Sequence, residues 1–162
     1  MKQISLIVAI DLAGGIGLDN RLSWKISDDM KRFKNLTTGN LVVMGRKTFE
    51  SLPKGALPDR ENVVLSRNDF SAPGAKVVHS LDEAMLALSH DKENFVIGGG
   101  AIYKAFFPYV QKIYLTVVQT VLPADTFFPS LNMQEWESNF SEFITENEKN
   151  QYPHLYQILT RK

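Results

Sequence analysis

Short apolar runs alternate with helical patterns over most of the chain. The runs are residues 4–10, 41–44, 62–65, 76–78, 95–97 and 113–118. Most are continuous and β-branched, which is typical of strands buried on both faces of a parallel sheet. The helical patterns between them are residues 28–36, 47–52, 81–88 and 101–107. The alternation predicts an α/β fold with helices on both faces of a mostly parallel central sheet.

The C-terminal segment has a different pattern. In WESNFSEFITENEKNQYPHLYQILTRK, residues 136–162, two alternating runs flank the polar ENEKNQ. This arrangement predicts a long antiparallel hairpin, so we expect a mixed sheet with an antiparallel C-terminal edge. A chain of 162 residues without a linker or repeat is long enough for one buried core. We therefore expect a single domain over residues 1–162.

Composition and charge exclude several classes of function. The chain has 18 basic and 18 acidic residues, so nothing favours a nucleic-acid or membrane-surface partner. It has no cysteine, which excludes disulfides and thiolate nucleophiles, and its three histidines lack zinc spacing, so no metal is predicted. The N-terminal apolar run is too short for a secretion signal or a membrane span. We expect a soluble, cytoplasmic protein that is a monomer.

Three predicted strands are followed by residues suited to phosphate. GRKT, residues 45–48, follows one strand, Ser66 and Arg67 follow another, and GGG, residues 98–100, follows a third. Ligands bind at the carboxyl ends of parallel strands, where hydroxyls, cations and glycine backbone N–H groups can hold phosphates. Tyr103 stands where a dinucleotide fingerprint has its third glycine, and no ribose-binding acid follows. The pattern favours NADP over NAD.

A carboxylate is predicted on the inward face of the first helix. In SDDMKRFKNL, Ser27 is the predicted N-cap and Asp28 the predicted capping acid. Asp29 falls on the apolar face, between Phe33 and Leu36. Complementing the helix dipole explains both acids, but an inward carboxylate can also hold an amidine-like ring edge or assist proton transfer. Together with a nicotinamide dinucleotide, it indicates hydride transfer to a C=N bond of a heterocycle.

These segments together resemble dihydrofolate reductase. The motifs are SLIVAID, GGIGLDNRLSW, SDDMKRFK, VVMGRKTFESL, LPDRENVVLSR, VIGGGAIY, IYLTVV, DTFFP and WE. The resemblance covers nearly the whole chain and implies NADPH-dependent reduction of 7,8-dihydrofolate to 5,6,7,8-tetrahydrofolate. Asp29 would bind the pterin edge and promote protonation of N5, with Thr116 in its hydrogen-bond network. Trp24 would hold an ordered water, and Tyr103 would lie beside the nicotinamide.

The resemblance also implies two sets of binding residues. For the substrate they are Ile7, Val8, Asp29, Met30, Phe33, Leu57, Arg60, Ile97 and Thr116. For the cofactor they are Ala9, Ile16, Gly17, Leu18, Asn20, Gly45, Arg46, Lys47, Thr48, Ser66, Arg67, His79, Gly98, Gly99, Gly100, Ala101, Ile102 and Tyr103. Arg60 would fork the folate α-carboxylate, and the Gly98–Gly99 peptide would be cis. Antifolate inhibitors are expected partners.

The chain departs from the family pattern at several positions. Ser23 and Ser27 replace common prolines, and Ala101 stands where an arginine is frequent. Lys54 and Gly55 lie in a loop slightly longer than usual and have no assigned role. Two alternatives stay open from the residues alone: an NADPH-dependent pyrimidine reductase of the same fold, and a non-catalytic NADP-binding sensor. The pyrimidine reductase has less reason to keep Asp29, Trp24 and Arg60 together, and the sensor needs no inward acid.

Overall fold

The computed structural model describes residues 2–17 and 24–162. Its strands are β1 (Ile4–Asp11), β2 (Gly15–Gly17), β3 (Leu41–Gly45), β4 (Glu61–Leu65), β5 (Lys76–Val78), β6 (Asn94–Gly98), β7 (Lys112–Val118), β8 (Thr126–Phe127), β9 (Trp136–Ile144) and β10 (His154–Arg161). Its helices are α1 (Ser27–Thr37), α2 (Arg46–Ser51), α3 (Leu81–Ala87) and α4 (Gly100–Phe106), followed by a 3-10 turn at Phe107–Tyr109.

Eight strands form one sheet in the order β5-β4-β3-β6-β1-β7-β10-β9. The pairs from β5 to β7 are parallel, while β10 is antiparallel to both β7 and β9. The predicted mixed sheet with an antiparallel C-terminal edge is therefore confirmed.

Both faces of the sheet are covered, because successive strand residues point to opposite sides. On one face, Val43 packs in a buried cluster with Ala84 of α3 and Phe106 of α4. On the other face, Val42 packs in a second cluster with Phe49 of α2. Burying an aliphatic side chain of this size stabilises the fold by roughly 1.5–3 kcal/mol. The continuous apolar runs are explained by this two-sided burial.

The strand register brings the predicted phosphate residues to one edge. Gly45 pairs with Leu65, Leu65 pairs with Val78, and Met44 pairs with Gly98. Each is the last or next-to-last residue of its parallel strand. The segments that follow β3, β4, β5 and β6 therefore begin side by side at the carboxyl edge of the sheet.

The start of α1 differs from the prediction. The N-cap is Ile26, which offers no side-chain hydrogen bond, and Ser27 is the first helical residue. The capping group comes from far along the chain: Asn150, which is fully buried, accepts from the Asp28 N–H at 3.1 Å and donates to Asp28 Oδ2 at 2.7 Å. The predicted Ser27 cap was wrong because a side chain 122 residues from Asp28 performs that function.

A two-stranded sheet of β2 and β8 was not predicted. It places residues 15–17 against residues 126–127, and Phe128 N–H donates to the Gly14 carbonyl at 2.8 Å. Among the described residues, the helices are all too short or too polar to cross a membrane.

Candidate active site

A cavity of about 420 Å³ opens at the carboxyl edge of the sheet. It lies between β1, β2, α1, α2 and β6, where the strand ends meet. Its lining residues are Ala9, Ile16, Gly17, Phe33, Thr48, Ser51, Leu52, Ile97, Gly98, Gly99, Gly100, Tyr103 and Thr126. Eight predicted cofactor residues and two predicted substrate residues thus share one cavity, while Ser51, Leu52 and Thr126 were not predicted.

Asp29 lies beside this cavity on the first turn of α1. Thr116 Oγ1 donates to Asp29 Oδ1 at 2.6 Å, and Arg32 Nη1 donates to the same oxygen at 3.1 Å. Thr116 is 3% exposed and pairs across the sheet with Ala9, which lines the cavity. A hydrogen bond to an ionised group contributes about 1.5–3 kcal/mol, so Thr116 and Arg32 hold the Asp29 carboxylate at a defined place.

Tyr103 lines the cavity. Its hydroxyl lies 2.9 Å from the carbonyl oxygens of both Ile7 and Ile97, and it donates its one proton to either of them. Burial, and secondarily the charge of Asp29, raises the pKa of Tyr103 well above its usual range. The Tyr103 side chain is therefore neutral. Its hydroxyl contacts both β1 and β6, the two strands that flank the cavity.

The cationic groups predicted to bind phosphate lie at the carboxyl edge of the sheet but differ in their bonding. Arg46 Nη1 forms an exposed ion pair with Glu50 Oε1 at 2.9 Å, whereas Arg67 is exposed and makes no ion pair with a described residue. Ser66 is buried, and its Oγ donates to the Asn68 carbonyl at 2.9 Å. The ring Nδ1 of His79 lies 2.8 Å from the Ser66 carbonyl oxygen. Lys47 is exposed, and Ala101 is exposed beside the glycines.

The glycines have packing roles as well as an open backbone. Gly98 has φ +126°, in the region that favours glycine, and the Gly98–Gly99 peptide is cis. A Cβ on Gly100 would lie 2.5 Å from the Thr126 methyl, and one on Gly45 would lie 2.9 Å from Ile102 Cγ1. A Cβ on Gly99 would lie 3.5 Å from Thr48 Oγ1, inside the cavity lining. The side chain of Thr126 thus explains one glycine that sequence reasoning attributed to ligand approach alone.

A family model described as Dihydrofolate reductase matches residues 3–161. The chain belongs to the dihydrofolate reductase family. A dihydrofolate reductase of Haemophilus influenzae is 45% identical over 158 residues, covering 98% of this chain and 98% of the relative. One of Staphylococcus haemolyticus is 39% identical over 160 residues, covering 98% of this chain and 96% of the relative.

A solved structure of the same family has the same fold. It is described as dihydrofolate reductase from Enterococcus faecalis complexed with NADP(H) and RAB-propyl. Its TM-score with this chain is 0.91 at 34% identity, and the match covers 99% of this chain and 96% of that one. The resemblance found from the motifs is confirmed.

In this dihydrofolate reductase family member, Arg60 stands on a turn fixed by a buried amide. Arg60 Nη1 donates to Thr37 Oγ1 at 3.1 Å. Burial lowers the pKa of its guanidinium, although the charge of Asp59 acts in the opposite direction. Asn62 Oδ1 accepts from the Leu57 N–H at 2.9 Å, and its Nδ2 donates to the Leu57 and Arg60 carbonyls at 2.9 and 3.0 Å. Asn62 was not predicted, although a polar residue opening an apolar strand is a usable signal.

Other predicted residues are not among those that line the cavity. Val8 is 4% exposed and faces the core cluster on the side of β1 opposite Ala9, whereas Ile7 packs against the second cluster. Met30 is 59% exposed, so it is open to solvent rather than enclosed. Trp24 is buried in a third cluster with Val118. The predicted cofactor residues Leu18 and Asn20 lie outside the described residues.

Proposed function

We propose that this chain catalyses the reaction of its family, NADPH-dependent reduction of 7,8-dihydrofolate to 5,6,7,8-tetrahydrofolate, through a proton site at Asp29. One observation carries the proposal. Thr116 Oγ1 donates to the Asp29 carboxylate at 2.6 Å, and Thr116 is paired in the sheet with Ala9, which lines the cavity. A sensor or a pyrimidine reductase of the same fold gives no reason for an anchored carboxylate there.

The cavity and its edge fit a nicotinamide dinucleotide. Bound NADPH supplies the hydride that reaches C6 of the pterin. The open backbone at Gly98 and Gly99 and the hydroxyl of Thr48 are suited to a pyrophosphate, because a Cβ at Gly99 would fill that space. Arg46 and Arg67 are suited to a 2′-phosphate, since guanidinium groups pair with phosphate oxygens in a fork.

Asp29 has bonding capacity left for the pterin. Its Oδ1 accepts from Thr116 and Arg32, and no described residue donates to its Oδ2. A carboxylate oxygen accepts about two hydrogen bonds, so Oδ2 can accept from the edge of the ring that carries N3–H and the 2-amino group. In that position Asp29 orients the pterin and promotes protonation of N5, and the apolar wall of Phe33 and Ile97 excludes water from the ring.

The tail of the substrate has a matching cation. Arg60 lies beside Thr37 at the end of α1, on the turn that Asn62 holds. We assign it the α-carboxylate of the glutamate tail, because a guanidinium binds a carboxylate with two parallel hydrogen bonds. Leu57, on the same turn, packs against the second core cluster and is suited to the benzoyl ring.

We also propose that the protein acts as a monomer and that antifolate inhibitors occupy the pterin site. The solved relative is complexed with both NADP(H) and RAB-propyl, which supports a second small-molecule ligand in addition to the dinucleotide. The self-contained core clusters support a monomer.

The test is the absorbance decay of NADPH when 7,8-dihydrofolate is added to purified protein. We expect rapid decay, and a loss of about 100-fold or more in Asp29→Asn near neutral pH, because general acid catalysis contributes on this scale. The loss should shrink at low pH, where substrate protonated in solution needs no acid.

Asp28→Asn is the matched control, because Asp28 bonds Asn150 rather than Thr116. It should keep turnover within a few-fold of the parent. An Asp29→Asn variant with the same loss at every pH would contradict the proton role, and absence of NADPH decay in the parent would refute the reaction itself.

A further inference from the structure

The helix that carries the proton site begins against a segment from late in the chain. The first N–H groups of a helix have no partner within it, and the N-cap Ile26 supplies no side-chain hydrogen bond. Instead, the Ser27 N–H donates to the Lys149 carbonyl at 3.0 Å, and the Asp28 N–H donates to Asn150 Oδ1 at 3.1 Å. Both acceptors belong to the connection between β9 and β10, which therefore fixes where α1 starts.

The residues before the helix are bonded to the same connection. Ile26 forms an antiparallel bridge with Asn150. The Gln151 N–H donates to the Lys25 carbonyl at 3.2 Å, and the Lys25 N–H donates to Gln151 Oε1 at 3.1 Å. Residues 25–28 are therefore held as a short extended segment and one helical turn, and α1 cannot shift along its axis without breaking these bonds.

The buried Asn150 amide uses both of its polar groups on one residue. Its Oδ1 accepts from the Asp28 N–H, and its Nδ2 donates to Asp28 Oδ2 at 2.7 Å. An amide supplies an acceptor and a donor together, which suits an N–H group beside a carboxylate. A carboxylate at position 150 would lack the donor and repel Asp28, and an alanine would leave both groups of Asp28 without this partner.

Asp29 is the next residue along α1. Its carboxylate accepts from Thr116 of β7 at 2.6 Å, so its side chain and the main chain just before it are held by two different parts of the sheet. A carboxylate on a frayed first turn would occupy several positions relative to the cavity. Misplacing a catalytic group by about 1 Å can reduce turnover by about 100-fold, so the main-chain attachment matters for the reaction.

The chain has a local substitute for the cap from Asn150. Serine is a favoured N-cap residue, so Ser27 can cap a helix that begins one residue later. Such a helix would keep most of its length but would release Asp28 from the β9–β10 connection and bring Asp29 closer to the helix end. Loss of Asn150 should therefore alter the first turn of α1 without unfolding the helix.

We propose that Asn150 is a positioning residue, which fixes the start of α1 and thereby holds Asp29 against Thr116 in the geometry that turnover requires. The inference rests on the proposed function. Asn150 is not among the described residues that line the cavity, so it acts on the reaction through α1 and not by touching substrate or cofactor.

The first test measures kcat and the Kd of NADPH in the parent, Asn150→Ala and Asn150→Asp. In Asn150→Ala, kcat should fall about ten-fold, because Asp29 loses its defined position. It should fall further in Asn150→Asp, where two carboxylates face each other. The Kd of NADPH should stay within about two-fold of the parent in both variants, because the cofactor residues follow other strands.

Exchanging the two side chains separates this pair from a general loss of structure. Asn150→Asp combined with Asp28→Asn again provides an acceptor for the N–H of residue 28 and one amide donor for one carboxylate. The kcat of this double variant should return to within about three-fold of the parent, far above that of Asn150→Asp alone. Asp28→Asn alone keeps a carbonyl oxygen that accepts from Asn150 Nδ2.

Asn94→Ala is the matched control, because it also removes a fully buried amide. Asn94 lies at the start of β6, and its Nδ2 donates to the Gln3 and Ser89 carbonyls at 2.9 Å each. This site is at the amino edge of the sheet, opposite the cavity. The variant should lose stability yet keep kcat within about two-fold of the parent at temperatures where it is folded.

Hydrogen exchange followed by NMR tests the attachment without turnover. The amide of residue 28 should exchange at least about ten-fold faster in Asn150→Ala than in the parent, because it loses its acceptor. In the exchanged double variant its rate should return toward that of the parent.

Three results would overturn the inference about Asn150. One is a parental kcat in Asn150→Ala despite faster exchange at residue 28. Another is failure of the exchanged pair to recover activity over Asn150→Asp, a comparison that needs no folded Asn150→Ala. The third is an equal loss of kcat in folded Asn94→Ala. Absence of turnover in the parent would refute the proposed function, while faster exchange in Asn150→Ala would still support Asn150 as the group that fixes the start of α1.

Discussion

At the scale of single residues, two arginines at the carboxyl edge of the sheet differ in their bonding. Arg46 already has an exposed partner in Glu50, and Arg67 has no ion-pair partner among the described residues. Exposed helix pairs contribute only about 0.3–0.5 kcal/mol, so a phosphate can take Arg46 from Glu50 at small cost. Both arginines are therefore available to one ligand.

A double variant, Arg46→Ala with Arg67→Ala, should weaken NADPH binding about ten-fold or more and NADH binding less than three-fold. The difference arises because charge-assisted bonds to the 2′-phosphate exist only for NADPH and contribute about 1.5–3 kcal/mol each. Fluorescence titration of both cofactors measures it.

Lys31→Ala with Lys76→Ala removes the same charge from exposed positions away from the edge and serves as control. Equal weakening of NADPH and NADH in the arginine variant would contradict a 2′-phosphate site.

Single residues also mark the limit of sequence reasoning. The inward position of Asp29 follows from helical periodicity, since the face is a local property. Its partner Thr116 lies 87 residues away and was inferred from family resemblance alone. The contact of Arg32 with Asp29 was not predicted, because a basic residue on a helix is ordinarily solvated, and the ring of Tyr156 holds this one in place.

At the scale of elements, one buried carboxylate joins two loops. Asp11 is 2% exposed at the end of β1; its Oδ1 accepts from Ala13 and Gly15 N–H at 2.8 Å, and its Oδ2 accepts from Leu122 N–H at 3.2 Å. Gly17, at the end of β2, lines the cavity. Asp11 therefore ties the β1–β2 loop, and with it one cavity wall, to the segment before β8.

Asp11→Ala should loosen that wall. The amides of Gly15 and Leu122 should exchange with solvent at least about ten-fold faster, because each loses a charge-assisted bond worth about 1.5–3 kcal/mol. Hydrogen exchange followed by NMR measures both amides.

Asp91→Ala, at an exposed carboxylate, is the control. If the two amides exchange at the parent rate in Asp11→Ala, the loop is held by its backbone bonds alone.

The elements themselves were predictable to different degrees. The six apolar runs all became strands within about two residues of their predicted ends, because burial on both faces leaves a strong local signal. The strands Gly15–Gly17 and Thr126–Phe127 were missed because they are short and rich in glycine and polar residues. The cap of α1 could not be found locally, since Asn150 reaches it from the C-terminal hairpin.

At the scale of the whole molecule, a buried histidine makes stability depend on pH. His154 is fully buried, and neither ring nitrogen has a hydrogen-bond partner among the described residues. Burial and then Arg32 lower its pKa; the Tyr152 backbone favours the charged form too weakly to reverse that direction. In the unfolded chain the imidazole takes a proton near pH 6.5. The stability from neutral His154 is complete above that pH and is lost as the pH falls below it.

Urea unfolding at pH 5 and pH 8 should show this loss in the parent and a smaller one in His154→Leu. The variant should also be as stable as the parent or more stable at pH 5, because an apolar side chain leaves no buried donor or acceptor unpaired. His90→Gln, at an exposed histidine, should keep the parental dependence. An unchanged pH dependence in His154→Leu would assign the effect to other groups.

The position of β1 in the sheet has a consequence for biosynthesis. Ser5 pairs with Phe95 on one side and Lys112 on the other, so β1 is a central strand whose two partners lie much later in the chain, before β9 and β10. Residues as far as β6 must therefore be synthesised before β1 can be paired, and the sheet has high contact order. Folding should therefore take milliseconds or longer. In that interval β1 is an unpaired apolar strand, which is the kind of exposed segment that chaperones bind.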